Sequence, residues 1–300
     1  MVSRWWGLAG GYLLDLVFAE SLLRPHPVAM AGSALQWWEE NCYRDARAAG
    51  VAYVAGGLAM AEAAARLAPV GAAATYIAVA QSMLLSEARA VKKLLDAGDL
   101  PEARLRACSL VGRDTAALEE AGLARAVVES VAENTVDGVV APLLWAAAGG
   151  ARGAYFYRII NTMDSQVGHR NERYRRFGSA AARLDDVANY LPARVAALLL
   201  MALRPGRAVA AAQVIRDGAP AHPSPNAGVI EAGFAAALHV RLGGVNSYGG
   251  VTEERGTLGD GPAPSAPDIE AACRLSRAIG LATLGLVGVV ELAASRWRAR

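Results

Sequence analysis

The chain has 300 residues and a mass of 31.2 kDa; it is 54% apolar before its 31 Gly are counted, 19% charged, and has a mean hydropathy of +0.24. Such a chain buries enough surface to offset its ordering entropy, which excludes disorder, and a formal net charge of +2 gives no basic footprint for nucleic acid. Cys42, Cys108 and Cys273 are odd in number, far apart and without metal spacing, which excludes a disulfide scaffold and fits a reducing compartment.

An all-α protein is expected, because Ala and Leu dominate and period-2 alternation is scarce. The N-terminal stretch WWGLAGGYLLDLVFAE holds one internal charge, Asp15, and has neither a basic start nor an A-x-A site, so no removable signal peptide is read there. Next comes Leu23-Arg24-Pro25-His26-Pro27-Val28, a stiff Pro-bracketed His. The longest uncharged run, Leu67 to Ser86, has the length of about twenty residues that a bilayer span needs. The runs Ala48–Ala61, Gly138–Ala151, Val195–Leu203 and Ala278–Val290 are shorter, and suit buried or re-entrant helices. EARAVKKLLDAG reads as a helix, ended by Gly98-Asp99-Leu100-Pro101, and a second is expected to start at Asp114 with an N-cap.

That second helix carries Glu129, Glu133 and Asp137 at four-residue spacing, which stacks three carboxylates on one face. Like charges so stacked call for a cationic partner, either arginines or a divalent ion, and oxygen-only ligands suit Mg2+. The helix runs into an apolar segment, and acidic residues at the mouth of a membrane segment point to function rather than a solvated face. A second cluster, Arg158 to Arg194, interleaves Asn161, Asp164, His169, Asn171, Asp185 and Asp186 with Arg170, Arg173, Arg175, Arg176 and Arg183. A basic juxtamembrane patch needs no such carboxylates; arginine forks beside them suit phosphates and their cation. A third pairs HPSPNAG, with His222, Ser224 and Asn226 on a rigid turn, with RLGGVNSYGG, a Gly-rich loop holding Asn246. GTLGDGPAPSAP (256–267) reads as a mobile surface loop, and the last apolar run meets Trp297 and three arginines, an interfacial anchor on the cytoplasmic side. The four His and three Cys form no zinc spacing, and no P-loop, GxGxxG, GxSxG or HExxH is present.

Gly138–Tyr157 poses a topological question. A full span there would put Glu129–Asp137 and Asp164–Asp186 on opposite faces of a membrane. Pro142, Gly149, Gly150, Arg152 and Gly153 interrupt it, so a re-entrant hairpin or bent helix is expected, with both polar regions on the cytoplasmic side.

In order along the chain, DLVFAESLLRPHPVAMAG, SLVGRDTAALEEAGLARAVVESVAENTVDGVVAPLLW, YRIINTMDSQVGHRNERYRRFGSAAARLDDVANYLPAR, HPSPNAG and RLGGVNSYGG resemble the cobalamin-biosynthesis family CobD/CbiB, the adenosylcobinamide-phosphate synthases. The resemblance implies one multi-pass domain over 1–300 in the inner (cytoplasmic) membrane. Its site regions would be about 86–138, 158–190 and 217–277. It also implies ATP- and Mg2+-dependent joining of adenosylcobyric acid, the corrinoid substrate, to aminopropanol or its O-phosphate. Glu129, Glu133, Asp137, Asp164 and His169 would then be catalytic, and Glu133, Asp137, Asp164, Asp185 and Asp186 would hold metal. Arg113, Asn134, Asn161, Arg170, Asn171, Arg173, Arg176, His26, His222, Ser224, Asn226 and Asn246 would bind substrate. Partners would be the lipid bilayer and other late-pathway membrane enzymes or a second copy. Where the family commonly has Gly-Asp-Pro, this chain has Ala19-Glu20-Ser21, so Glu20 would substitute for that aspartate. The competing reading, a small-molecule membrane transporter, predicts inverted repeats, and the sequence shows none.

Overall fold

The computed structural model describes residues 4–19, 23, 25–169, 171–248 and 251–298. Glu20, Ser21 and Arg170, each carrying a sequence expectation, lie outside them. The helices run in the order α1 (Arg4–Phe18), α2 (Pro27–Cys42), α3 (Arg47–Leu67), α4 (Gly71–Ala78), α5 (Gln81–Asp96), α6 (Leu100–Ala107) and α7 (Glu120–Thr135). A π-turn, Val136–Val140, leads to α8 (Ala141–Val167), α9 (Tyr174–Phe177), α10 (Ser179–Leu203), α11 (Ala208–Gly218) and α12 (Ala227–Leu238). Strands β1 (Leu242–Tyr248) and β2 (Val251–Leu258) precede α13 (Ala266–Arg298). The chain forms two compact units, each discontinuous: 1–80, 137–191 and 283–300 in the first, 81–136 and 192–282 in the second.

Among the described residues, three helices are long and apolar enough to cross a membrane: Arg47–Leu67, Ser179–Leu203 and Ala266–Trp297. Only 28%, 39% and 22% of their apolar windows are buried inside the protein. The apolar surface they leave outward, Val51 and Leu67 on α3, Val187, Leu191 and Leu198 on α10, and Val289 and Leu292 on α13, is too extensive for a water-facing helix. The run Leu67–Ser86, expected to be the clearest span, is not one. Pro69 and Gly71 part α3 from α4, and α4 stops after eight residues. At the next break the Ala80 amide donates to Gly138 O at 2.9 Å, so the chain gives its helical bond to the π-turn instead. Helix α3 is long and apolar enough to cross although it carries charge, because Glu62 and Arg66 form a 2.9 Å pair near its end.

In the first unit, α8 is two helices folded back at Gly150, whose φ of 63° and ψ of −146° are open to glycine at little cost. A straight helix puts residues twelve apart about 18 Å from one another, yet the Trp145 and Tyr157 rings stack at 6.5 Å. Gly153 lies so close that a Cβ there would sit 1.9 Å from Trp145 O. The bend expected in Gly138–Tyr157 is therefore a tight reversal. Trp145 also repairs a defect in α10: Pro192 has no N–H, which frees Ala188 O, and the Trp145 Nε1–H donates to it at 3.1 Å.

The second unit overturns three expectations. The Gly-rich loop is a strand, since β1 pairs antiparallel with β2, Asn246 opposite Glu253, with an irregular register between Gly243 and Val245. Alternation failed to reveal it because positive-φ glycines (Gly243, Gly244, Gly256) interrupt both strands. Helix α7 starts at Glu120, not Asp114; Thr115 instead donates its hydroxyl to Arg104 O at 3.0 Å, fastening the preceding loop to α6. The stretch 256–267 is tied down rather than free. Leu258 is fully buried, the Arg241 amide donates to Pro262 O at 2.9 Å, and Asp268 Oδ2 accepts the Ser265 amide at 2.8 Å at the start of α13.

Candidate functional site

The second unit holds a cavity of about 60 Å3 lined by Leu110, Gly112, Arg113, Ser130 and apolar neighbours, with Glu129, Glu133, Glu231 and Arg255 supplying its charge. Its foundation is an ion pair out of water: Arg113 Nη2 lies 2.6 Å from Glu129 Oε2, with side chains 3% and 9% exposed. Breaking such a pair strands a buried charge at a cost of about 3–5 kcal/mol. Glu129 Oε1 also accepts the Gly243 amide at 2.7 Å, and Arg125 Nε stands 4.0 Å from it. Asn246 Oδ1 accepts from Arg113 and, at 3.1 Å, from Arg125, whose other Nη donates to Gly243 O. Gly243 must be glycine here, since a Cβ would lie 2.1 Å from Gly256 O. The hairpin is thus the clamp on the Glu129–Arg113 pair. Ser130 donates to Leu110 O at 2.7 Å, holding the Arg113 loop to α7, and Asn134 donates back to Ser130 O at 2.9 Å.

Of the two partners expected for the carboxylate ladder, Glu129 has arginine. The ladder itself is divided: Glu129 is buried, Glu133 is exposed, and Asp137 falls inside the π-turn, where i→i+5 bonding breaks the four-residue stacking.

The HPSPNAG turn brings its own pair to this unit. His222 and Glu231 side chains are 2% and 5% exposed, with Nε2 3.6 Å from Oε1. The Ser224 amide donates to His222 Nδ1 at 3.1 Å, which fixes the ring, and Ser224 Oγ accepts the Ala227 amide at 3.2 Å to start α12. Arg194 donates to Asn226 Oδ1 at 2.6 Å. Burial holds His222 below its ordinary value, hence neutral. Burial first, and then the negative charges of Glu129 and Glu133, push Glu231 well above the carboxylate range, against the pull of Arg255 and Arg113. Sequence reasoning missed Glu231 and Arg255. The available signal for Glu231 was a lone carboxylate in the otherwise apolar helix AGVIEAGFAAAL.

The first unit gathers a second polar group. The reversal at Gly150 brings Asn161 to Asp137, to which it donates at 3.2 Å. Asn161 also lies beside Asp185, whose charged neighbours are Asp164 and Asp186. Asn189 donates to Asp185 Oδ2 at 2.9 Å and accepts from the Tyr157 hydroxyl at 2.9 Å, while Asp185 Oδ1 is buried without a partner among the described residues. Asn189 and Tyr157 were not singled out from sequence. Four of the five expected metal ligands lie in this unit and Glu133 in the other. Among the described residues no three His, Cys, Asp or Glu side chains converge as a metal site. An ion arriving with substrate phosphates asks less of the protein, one or two carboxylates, and Asp164 with the unpartnered Asp185 oxygen fits that demand.

Other expected ligands are committed to structure. His26 caps α2 by accepting the Val28 amide at 3.4 Å, and Asn171 Oδ1 accepts the Tyr174 amide at 2.8 Å beside α9. Arg173 donates to Glu39 at 2.8 Å and lies over the Tyr43 ring at 4.2 Å, while Arg176 stands 3.4 Å from Asp45. His169 is exposed, its Nε2 3.0 Å from Ser165 O.

A family model described as CobD/Cbib protein matches residues 8–276. The chain is 45% identical over 296 residues to the Cobalamin biosynthesis protein CobD of Mycobacterium tuberculosis, with 94% of each chain covered. Its identity is 40% over 274 residues to the protein of that name in Pelobacter propionicus, with 84% of each covered. For the one in Halalkalibacterium halodurans it is 38% over 289 residues, covering 88% of this chain and 89% of the relative. No solved structure matches.

Proposed function

The chain belongs to the CobD/CbiB family of cobalamin biosynthesis, and on that premise we propose that it forms an amide bond between the free propionate of adenosylcobyric acid and (R)-1-amino-2-propanol or its O-phosphate, using ATP. The observation that carries this reading is the family match over 8–276, which encloses all the polar clusters. A carboxylate is a poor electrophile, so ATP converts the propionate to an acyl phosphate, and the amine displaces phosphate. Catalysis of phosphoryl transfer is mostly positioning and charge neutralisation. Arg113 and Arg255 at the cavity would meet phosphate or carbonyl oxygens, and Glu133 and Glu231 the amine. In the first unit, taken by itself, Asp164 and Asp185 would hold Mg2+, which when bound would spread the charge of phosphate oxygens at that metal. The protein would reside in the cell membrane with its site toward the cytoplasm, where ATP is.

The test is to incubate the purified, detergent-solubilised protein with adenosylcobyric acid, ATP, Mg2+ and each amine, and to weigh the corrinoid. A mass gain equal to the amine minus water is expected, with ATP consumed only when corrinoid is present. An unchanged corrinoid with both amines refutes the reading. Asp164→Ala should lower product formation at least about 100-fold while the protein still inserts; near-normal turnover would remove Asp164 from the site.

A further inference from the structure

The cavity in the second unit combines a small volume with buried groups left without partners. Arg113, in its wall, has a side chain 3% exposed, and its Nε finds no hydrogen bond among the described residues. His222 Nε2 likewise finds none, and faces Glu231 at 3.6 Å. Unsatisfied buried donors are costly, about 1–3 kcal/mol each, and call for an account. Glu129, by contrast, has both carboxylate oxygens engaged, by Arg113 and the Gly243 amide. Glu231 is the wall carboxylate set in an apolar helix, itself 3% exposed between the buried Ile230 and Ala232. At about 60 Å3 the cavity admits a terminal aminomethyl group and a few atoms more, while a corrin ring must stay outside.

We propose that Glu231 is the catalytic base, its carboxylate taking the proton that the ammonium must shed before it attacks, with the amine terminus lodged in the cavity between Glu231, Glu133, Arg113 and Arg255. This rests on the amide-forming reading above. The positive charge of the bound ammonium favours the ionised form of Glu231; in the step, one N–H bond of the ammonium breaks and the proton passes to that carboxylate, giving a free amine and a neutral carboxyl. The nitrogen lone pair then forms the C–N bond. The C–O bond to phosphate breaks, phosphate leaves with that electron pair, and the second nitrogen proton leaves with it. Arg113 Nε is the donor available to an oxygen that gains charge during the attack.

Three variants test this, each first checked for wild-type elution in detergent. Glu231→Gln keeps the shape and removes the acceptor, so kcat should fall about 10²–10⁴-fold with the KM for corrinoid unchanged. Glu231→Asp, which keeps a carboxylate, should retain clearly more turnover than E231Q. Glu231→Ala opens room for formate, and added formate should raise its turnover at least tenfold with saturation. A wild type without product refutes the reading beneath the proposal. An active wild type with E231Q within threefold of it, with E231D and E231Q equally lost, or with E231A unmoved by formate refutes the proposal alone.

Discussion

Residue by residue, the molecule separates charges that are spent from charges that are held ready. Glu129, Glu39 and Asp137 all have close partners, whereas Glu231 faces a neutral imidazole at 3.6 Å. A carboxyl whose folded value is raised contributes stability that is present below its ordinary value and lost as pH rises through the raised one. Glu231 faces Glu129 and Glu133 from α7, Arg113 from the loop before it, Arg255 from β2 and His222 from its own turn, and the net effect is upward. Glu231→Gln cannot ionise, so the gap between it and the wild type should open in its favour as pH is raised from the ordinary value of 4.5 to a mildly alkaline one, by about 1.4 kcal/mol for each tenfold gain in proton affinity on folding. Thermal unfolding in detergent at the two pH values reads the gap, and a constant gap would contradict the assignment.

Among the elements, the folded-back α8 has the largest consequence. Without it Asn161 could not reach Asp137, and the first unit's polar group would come apart. Gly153 is the tighter constraint, because any side chain meets the Trp145 carbonyl. Gly153→Val should push the two arms apart, destabilise the protein by more than about 3 kcal/mol, and break the Trp145–Tyr157 contact. Unchanged thermal stability would show that the arms are not held as described. The hairpin shows the opposite balance: a short element with poor strand composition persists because Arg125, Arg113 and Glu129 bind its backbone and Asn246.

At the scale of the whole molecule, three apolar helices with outward Val and Leu surfaces argue for residence in lipid. Alkaline carbonate should therefore leave the chain in the membrane pellet, and release into the supernatant would overturn that. The sequence by itself determined the helical class, the family and the polar stretches, because composition and motif spacing are properties of the linear chain. It also placed a bend in Gly138–Tyr157, since clustered glycines cannot sustain a straight apolar helix. It could not place the spans, because uninterrupted apolarity is a poor proxy for a helix when Pro69, Gly71 and the Ala80–Gly138 bond cut the run. Nor could it rank the carboxylates. Glu129, Glu133 and Glu231 are chemically alike, and only packing decided that an arginine neutralises the first, water reaches the second, and an apolar helix buries the third. Desolvation and partner distance set what a carboxylate does, and both come from residues remote in sequence.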